Sequence, residues 1–106
     1  MFPEDPPRFM ARVPHGHSDC AILERELRAA GFARVAYDAV PERSRAASAR
    51  DAAVGLCEGT PLRHEILARD PARLGAAVEA ATRALAAELG AGPIDGAMRA
   101  FVLTCL

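Results

Sequence analysis

A chain of 106 residues is long enough for one domain with a modest core, near the size at which small domains often depend on partners. Its formal net charge is −1, and its 13 basic residues, all Arg, are set among acidic residues along the predicted helices. No surface therefore collects the positive charge that binding to nucleic acid requires, and we expect no nucleic-acid partner.

The cysteines and the hydropathy pattern bear on the compartment. Cys20, Cys57 and Cys105 are odd in number and widely spaced, which favours reduced thiols in a cytoplasm. The first residues lack the basic and apolar regions of a signal peptide. No apolar run approaches the roughly 18 residues of a membrane span. We expect a cytoplasmic chain with no membrane partner.

The first half of the chain is predicted to hold an irregular segment, a helix and a strand. Residues 1–17 are expected to be irregular because four prolines remove backbone donors and fix φ there. Residues 18–106 are then expected to form a single α+β domain. Its first helix begins with Ser18 or Asp19 as its cap and ends at Gly31. A strand follows, and Pro41 is expected to end it.

Three more helices and a second strand are predicted in the rest of the chain. Ser48 caps the first of these helices, Thr60-Pro61 starts the next, and Asp70-Pro71 starts the longest, which ends near Leu89. Asp95-Gly96 is expected to form a turn. The final strand is apolar on both faces, which predicts that both are buried.

The order of these elements predicts an α+β fold with about four helices and a two-stranded antiparallel sheet. Two strands do not form an independently stable sheet, and apolar strands with open edges invite pairing. We therefore expect a homodimer or higher oligomer built on the last strand, with Phe101 and Leu103 at the contact. The alternative is a monomer in which Phe2 and Phe9 of the N-terminal segment cover that edge.

The stretch VPHGHSDC contains residue types that bind zinc, namely His15, His17, Asp19 and Cys20. The spacing H-x-H-x-x-C matches no standard zinc pattern, and Cys20 lies inside the predicted helix. We interpret the stretch as a loop followed by a helix cap and predict no metal site.

Nucleophilic catalysis and phosphate binding are disfavoured in the same way. Cys57 and His64 lie on different predicted helices without a third member to orient the base. The stretch GLCEGTPL has two glycines but lacks the Lys and Ser/Thr of a phosphate-binding loop. No catalytic residue is predicted.

Several stretches in their order along the chain carry a family resemblance. AAGF before a strand, GLCEGTPLRHEILARDP, and later GPIDGAMRAFVLTC resemble the C-terminal part of class I S-adenosylmethionine-dependent methyltransferases. The closest likeness is to the bacterial type-11, UbiE-like group, and it covers nearly the whole chain. The resemblance implies that residues 33–40 match the sixth strand of that Rossmann-like fold and residues 97–105 the seventh, which inserts between the fifth and sixth.

The resemblance also implies where an acceptor and a cofactor would bind. The helices between Ser48 and Asp70 would help to cover the acceptor pocket, with possible lining residues Leu56, Cys57, Thr60 and Leu62. In that family S-adenosylmethionine sits on a glycine-rich loop after the first strand and beside an acidic residue after the second. Neither motif is present in this sequence, so we expect no cofactor-binding residue and no S-adenosylmethionine bound by this chain alone.

Three functions follow as expectations. The first is a methyltransferase C-terminal segment, made of the substrate-cover helices and the last two strands, without autonomous activity. The second is a small homodimeric interaction domain derived from that fold. The third is one half of a split methyltransferase that assembles with a separate cofactor-binding half.

Overall fold

The computed structural model describes every residue from Met1 to Leu106 and shows an α+β chain with five α-helices and a two-stranded antiparallel sheet. The predicted fold class is confirmed at this level. One helix more than expected is present, because a single helical turn forms inside the segment predicted to be irregular. The elements are α1 Phe9–Arg12, α2 Cys20–Ala29, β1 Val35–Ala46, α3 Ala49–Glu58, α4 Leu62–Arg69, a 3₁₀ turn Pro71–Arg73, α5 Leu74–Leu89 and β2 Ile94–Cys105.

Three of the four predicted helix caps are confirmed, and at α4 the capping position is Pro61 and not Thr60. Asp19 caps α2, Ser48 caps α3 and Asp70 caps the 3₁₀ turn, each accepting a hydrogen bond of 2.9–3.0 Å from a backbone N–H two or three residues further on. Each bond satisfies a donor that the first turn leaves without a helical partner. Gly31 has a φ of +110°, which only glycine adopts readily, and it lies just after the end of α2 as predicted.

β1 and β2 pair along their whole length to form a ribbon, from Val35 opposite Cys105 to Ala46 opposite Ile94. The helices α3 to α5 connect the two strands, so the ribbon has two unlike ends. We call the end at Ala46 and Ile94 the helix-packed end and the opposite one the distal end. Both strands are 12 residues long, and each exceeds its predicted length.

Pro41 does not end β1, contrary to the prediction. Arg34 and Leu106 exchange two backbone hydrogen bonds of 3.0 Å, so odd-numbered residues of β1 direct their backbone groups away from β2. Pro41 is one of these residues. Its missing N–H therefore removes no bond of the ladder, which is the position in which a strand tolerates proline.

The expected turn at Asp95-Gly96 is also wrong, because both residues belong to β2. Ile94 is buried, with 7% of its surface exposed, and anchors the start of the strand. The Asp95 carboxylate accepts a hydrogen bond of 2.7 Å from Arg43 Nε, and its carbonyl oxygen accepts one of 2.9 Å from Arg43 Nη2. These contacts hold the helix-packed end in the extended conformation that the dipeptide alone does not favour.

The core lies in the helices and not in the ribbon. Buried side chains from α3, α4 and α5 form one cluster, which we call the helical core: Ala53, Cys57, Ile66, Ala77 and Val78. Only 8 of the 106 residues are buried, and Ile94 is the one member of that group in the ribbon. The expectation that the last strand is buried on both faces is therefore wrong for this chain by itself. Met98 and Val102 are each 51% exposed, because the helices reach only the helix-packed end of their face of the ribbon.

The N-terminal segment lies on the helices. Arg69 Nε donates a hydrogen bond of 2.7 Å to the Asp5 carbonyl, and Arg73 Nη1 donates one of 3.2 Å to the Met1 carbonyl. The Arg73 guanidinium also stands 5.4 Å from the centre of the Phe2 ring. The alternative in which this segment covers the edge of the last strand is therefore wrong.

The whole chain is extended for its length. Its radius of gyration is 17.3 Å, against about 13 Å for a compact domain of 100 residues. Its accessible surface of 7313 Å² exceeds by about 1,600 Å² the value expected for a folded monomer of this mass. The ribbon extends beyond the helices and accounts for this shape. No helix has both the length and the apolar character that crossing a membrane requires.

Candidate functional site

An apolar cleft of about 530 Å³ lies between the N-terminal segment and the helical core. Cys57, Leu62 and Ile66 line it from the helices, and Phe2 and Met10 line it from the N-terminal segment. Its volume falls within the range of small-molecule sites, and most of its lining is hydrophobic. The two arginines that hold the N-terminal segment, Arg69 and Arg73, also hold this cleft together.

The structure divides the predicted acceptor-pocket residues into two groups. Cys57 and Leu62 line the cleft, whereas Leu56 lines a separate groove between α3, α5 and the helix-packed end of the ribbon. Successive helical residues point about 100° apart, and on α3 this places Leu56 at the groove beside the ribbon and Cys57 at the cleft. Thr60 links the helices: its hydroxyl donates to the Leu56 carbonyl at 2.6 Å and accepts from the Leu62 N–H at 3.2 Å.

The cysteine in the cleft is not an activated nucleophile. Cys57 is 5% exposed, and burial raises the pKa of its thiol, with a smaller contribution from the negative charge of Glu58. His64 is exposed to solvent and makes no hydrogen bond with Cys57. The thiol therefore stays protonated and contributes an apolar surface.

The residues of the VPHGHSDC stretch separate in the structure. Asp19 caps α2, Cys20 is buried, and His17 Nε2 lies 3.3 Å from a carboxylate oxygen of Glu26. No three His, Cys, Asp or Glu side chains lie close enough together to hold a metal ion.

The outer edge of β2 presents a continuous row of free backbone groups. In β1 the backbone groups of the odd-numbered residues, Pro41 among them, point away from β2. By the same alternation, the backbone groups of the odd-numbered residues of β2 point away from β1. Five of these residues receive no hydrogen bond from any turn, loop or side chain of the chain. We call them the β2 edge: Ala97, Arg99, Phe101, Leu103 and Cys105. Free donors and acceptors in this arrangement are a template for another strand.

The outer edge of β1 differs from the β2 edge. Pro41 removes a donor near its middle, and Arg43 and Arg45 follow on the same side. Proline and charged residues are the usual means by which an edge strand avoids pairing. The β1 edge is therefore protected by proline and arginine from Pro41 to its helix-packed end, whereas the β2 edge contains no proline from Ala97 to Cys105.

The side chains beside the β2 edge are largely apolar. Phe101 and Leu103 are half-buried on one face of the ribbon, and the Arg99 guanidinium stands 4.9 Å from the centre of the Phe101 ring. On the other face Met98 and Val102 are half-exposed. A strand added at this edge would shield apolar surface on both faces.

Sequence reasoning identified Phe101 and Leu103 as contact residues but did not assign them to an edge. The missing information was the alternation of the backbone hydrogen bonds, which depends on the register between two strands separated by 47 positions. Pro41 was the available signal, because a strand tolerates proline where the backbone nitrogen points away from the partner strand. Its position indicates that the backbone groups of the odd-numbered residues of β1 point outwards. Comparison with protein-family models, curated proteins and solved structures finds no match for this chain.

Proposed function

We propose that this chain is a sheet-completing segment that corresponds to the last two strands and the acceptor-cover helices of a class I methyltransferase. It joins a neighbouring strand through the β2 edge and transfers no methyl group by itself. The observation that carries the proposal is the contrast between the open β2 edge and the protected β1 edge. In the family that the sequence resembles, the strand matching β2 lies between two others, one of which matches β1.

The chemistry of the edge supports this proposal. Backbone donors and acceptors beside apolar side chains are costly to leave without partners once water is excluded. An added strand would satisfy the backbone groups of all five residues of the β2 edge. It would also shield Met98 and Val102, which the helices of this chain leave half-exposed.

In this proposal the cleft is the part of the chain that contacts the methyl acceptor. Cys57 and Leu62 contribute to an apolar wall, and the N-terminal segment closes it from above through Phe2 and Met10. The wall offers shape and apolar contact without a charged catalytic group. Leu56 contributes to the packing of α3 against the ribbon and not to the acceptor wall.

Isothermal titration of the purified chain with S-adenosylmethionine tests the proposal. We expect no heat of binding, because the cofactor motifs of the resembling family are not in this sequence. An intact class I methyltransferase titrated in the same buffer is the positive control. A dissociation constant in the micromolar range for this chain alone would contradict the proposal.

A further inference from the structure

We propose that the strand added at the β2 edge is the β2 strand of a second copy of this chain, aligned antiparallel across a two-fold axis at Phe101. The result is a four-stranded sheet in the order β1–β2–β2–β1, with the protected β1 edges outermost. This inference rests on the proposed function, which states that the β2 edge pairs with another strand. It adds which strand that is.

The β2 edge fits itself in this register. Phe101 is the middle of the five residues, so a two-fold axis there pairs Ala97 with Cys105 of the second copy and Arg99 with Leu103 of the second copy. In this register each of the five residues of the β2 edge has a hydrogen-bonding partner in the second copy. Moving the two-fold axis to Val102 would place Ala97 opposite a position beyond the end of β2 at Cys105. Moving it to Ala100 would place Cys105 opposite Asp95, whose carbonyl oxygen already accepts a hydrogen bond from Arg43.

The side chains are compatible with the same register. No two like charges stand opposite each other, because Arg99 faces a leucine of the second copy. On the other face of the sheet Ala100 comes opposite Val102 of the second copy, and Met98 comes opposite Thr104 of the second copy. The exposed apolar surface of one ribbon therefore meets a largely apolar surface of the other.

Area and charge both favour a second copy as the occupant. The chain exposes about 1,600 Å² more surface than a folded monomer of its mass. A specific interface of standard size requires about 800 Å² from each partner. The net charge of −1 gives two copies almost no mutual repulsion. Cyclic two-fold pairing is also the commonest form of assembly among soluble oligomers.

Light scattering on a pair of matched proline variants tests the occupant. We expect the natural chain at micromolar concentration to show twice its single-chain mass of 11.2 kDa. Phe101→Pro removes an outward N–H from the β2 edge and leaves the β1–β2 ladder intact, so we expect the mass of one chain. Ala39→Pro is the control, because Ala39 lies directly opposite Phe101 on the β1 edge, and this variant should remain a dimer.

Two results of this experiment would overturn the inference. One is a mass of one chain for the natural sequence that does not change on dilution. The other is dissociation of the dimer by Ala39→Pro but not by Phe101→Pro. Circular dichroism of both variants verifies that the helices are retained.

A disulfide tests the register independently of those variants. In the proposed pairing the Cα atoms of residue 97 and of Cys105 of the second copy are about 5.5 Å apart, within the range that a disulfide spans. We expect Ala97→Cys to form a covalent dimer under mild oxidation and to lose it when Cys105→Ala is added. Ala39→Cys should stay monomeric on a denaturing gel. A covalent dimer from Ala39→Cys and none from Ala97→Cys would overturn the inference.

These outcomes separate the two proposals. A chain that stays monomeric and binds no S-adenosylmethionine excludes the second copy and leaves the sheet-completing segment in place. A chain that binds S-adenosylmethionine by itself excludes the sheet-completing segment, whatever its mass.

Discussion

The helices and the ribbon of this protein are stabilised by different interactions. The helical core is small, but its buried residues come from three helices and cover one another. The ribbon contains the longest paired segment of the chain and has a single buried residue, Ile94. In this protein the longest backbone hydrogen-bond ladder and most of the buried side chains therefore lie in different regions. The helices supply their own cover, whereas the ribbon requires a surface that this chain does not provide.

Ion pairs do not explain the difference between the two regions. Arg50 pairs with Glu79 across α3 and α5, and Arg43 pairs with Asp95 across the ribbon, so each region has a linking pair. All four side chains are about half-exposed, and ion pairs at exposed positions contribute little to stability. The stability of the helices therefore derives from apolar packing, which the distal end of the ribbon lacks.

The largest expected effect comes from removing a side chain of the helical core. Ile66 is 3% exposed, and Ile66→Ala should lower the free energy of unfolding by about 2–5 kcal/mol, because the cavity cannot close fully. Ile22→Ala is the control, because Ile22 is 38% exposed on α2. We expect the control to cost about 1 kcal/mol or less. Urea unfolding followed by circular dichroism measures both, and equal losses would contradict the position of the core.

A proline placed in the ladder tests how the ribbon is held. Val102 directs its N–H towards β1, so Val102→Pro removes a ladder bond and should destabilise the ribbon by about 1–3 kcal/mol. Ala39→Pro, on the outward parity, should change the stability much less. Amide chemical shifts of the strands report the loss. Equal damage by both substitutions would show that the assigned hydrogen-bond alternation is wrong.

A smaller effect is expected where the ribbon leads into the helices. Ser48 Oγ accepts a hydrogen bond of 3.0 Å from the Asp51 N–H at the start of α3. Ser48→Ala should lower the free energy of unfolding by about 1 kcal/mol, because that donor loses its partner. Ser48→Asp keeps an acceptor and should retain most of the stability. Urea midpoints measure the difference, and a fully stable Ser48→Ala variant would contradict the role of this cap.

The smallest expected effect is an acid-dependent loosening of the ribbon. The hydrogen bond from Arg43 and the charges of Arg43 and Arg45 lower the pKa of Asp95. Its stabilising contribution is therefore complete above the ordinary aspartate value of about 3.9 and is lost as the pH falls through the lowered folded value. We expect Asp95→Asn to remove this part of the acid dependence of the ribbon signals.

Glu79 provides the matching experiment in the helices. The hydrogen bond from Arg50 and the charge of that arginine lower the pKa of Glu79, so its contribution is lost in the same direction. Glu79→Gln should therefore alter the acid response of α3 and α5 and leave that of the ribbon unchanged. Thermal melting between about pH 5 and about pH 2, with separate probes for each region, measures both variants. An identical response of the two regions in both variants would contradict these assignments.

The sequence predicted the local signals of this fold better than its long-range contacts. The caps at Asp19, Ser48 and Asp70 were predictable because a cap is decided within three residues. Pro41 and Asp95-Gly96 misled the prediction of strand ends. Their effect depends on which strand lies opposite and in which register, and local preference does not contain that information.

The candidate site was predictable only in part for a related reason. The sequence selected Phe101 and Leu103 from apolar character alone, and both belong to the β2 edge. The family resemblance grouped Leu56 with Cys57 as lining of the acceptor pocket, whereas they line different cavities on α3. The cleft itself could not be anticipated, because it depends on where the N-terminal segment lies.

Amide hydrogen exchange along β2 tests most directly whether the β2 edge is paired. The even-numbered amides of this strand bond to β1 in any case, so the outward amides decide the question: Ala97, Arg99, Phe101 and Leu103. At micromolar concentration we predict slow exchange at every one of them, while the outward amides of Tyr37 and Ala39 on the β1 edge exchange quickly. Exchange at the outward amides of β2 as fast as at Tyr37 and Ala39 would contradict pairing at the β2 edge.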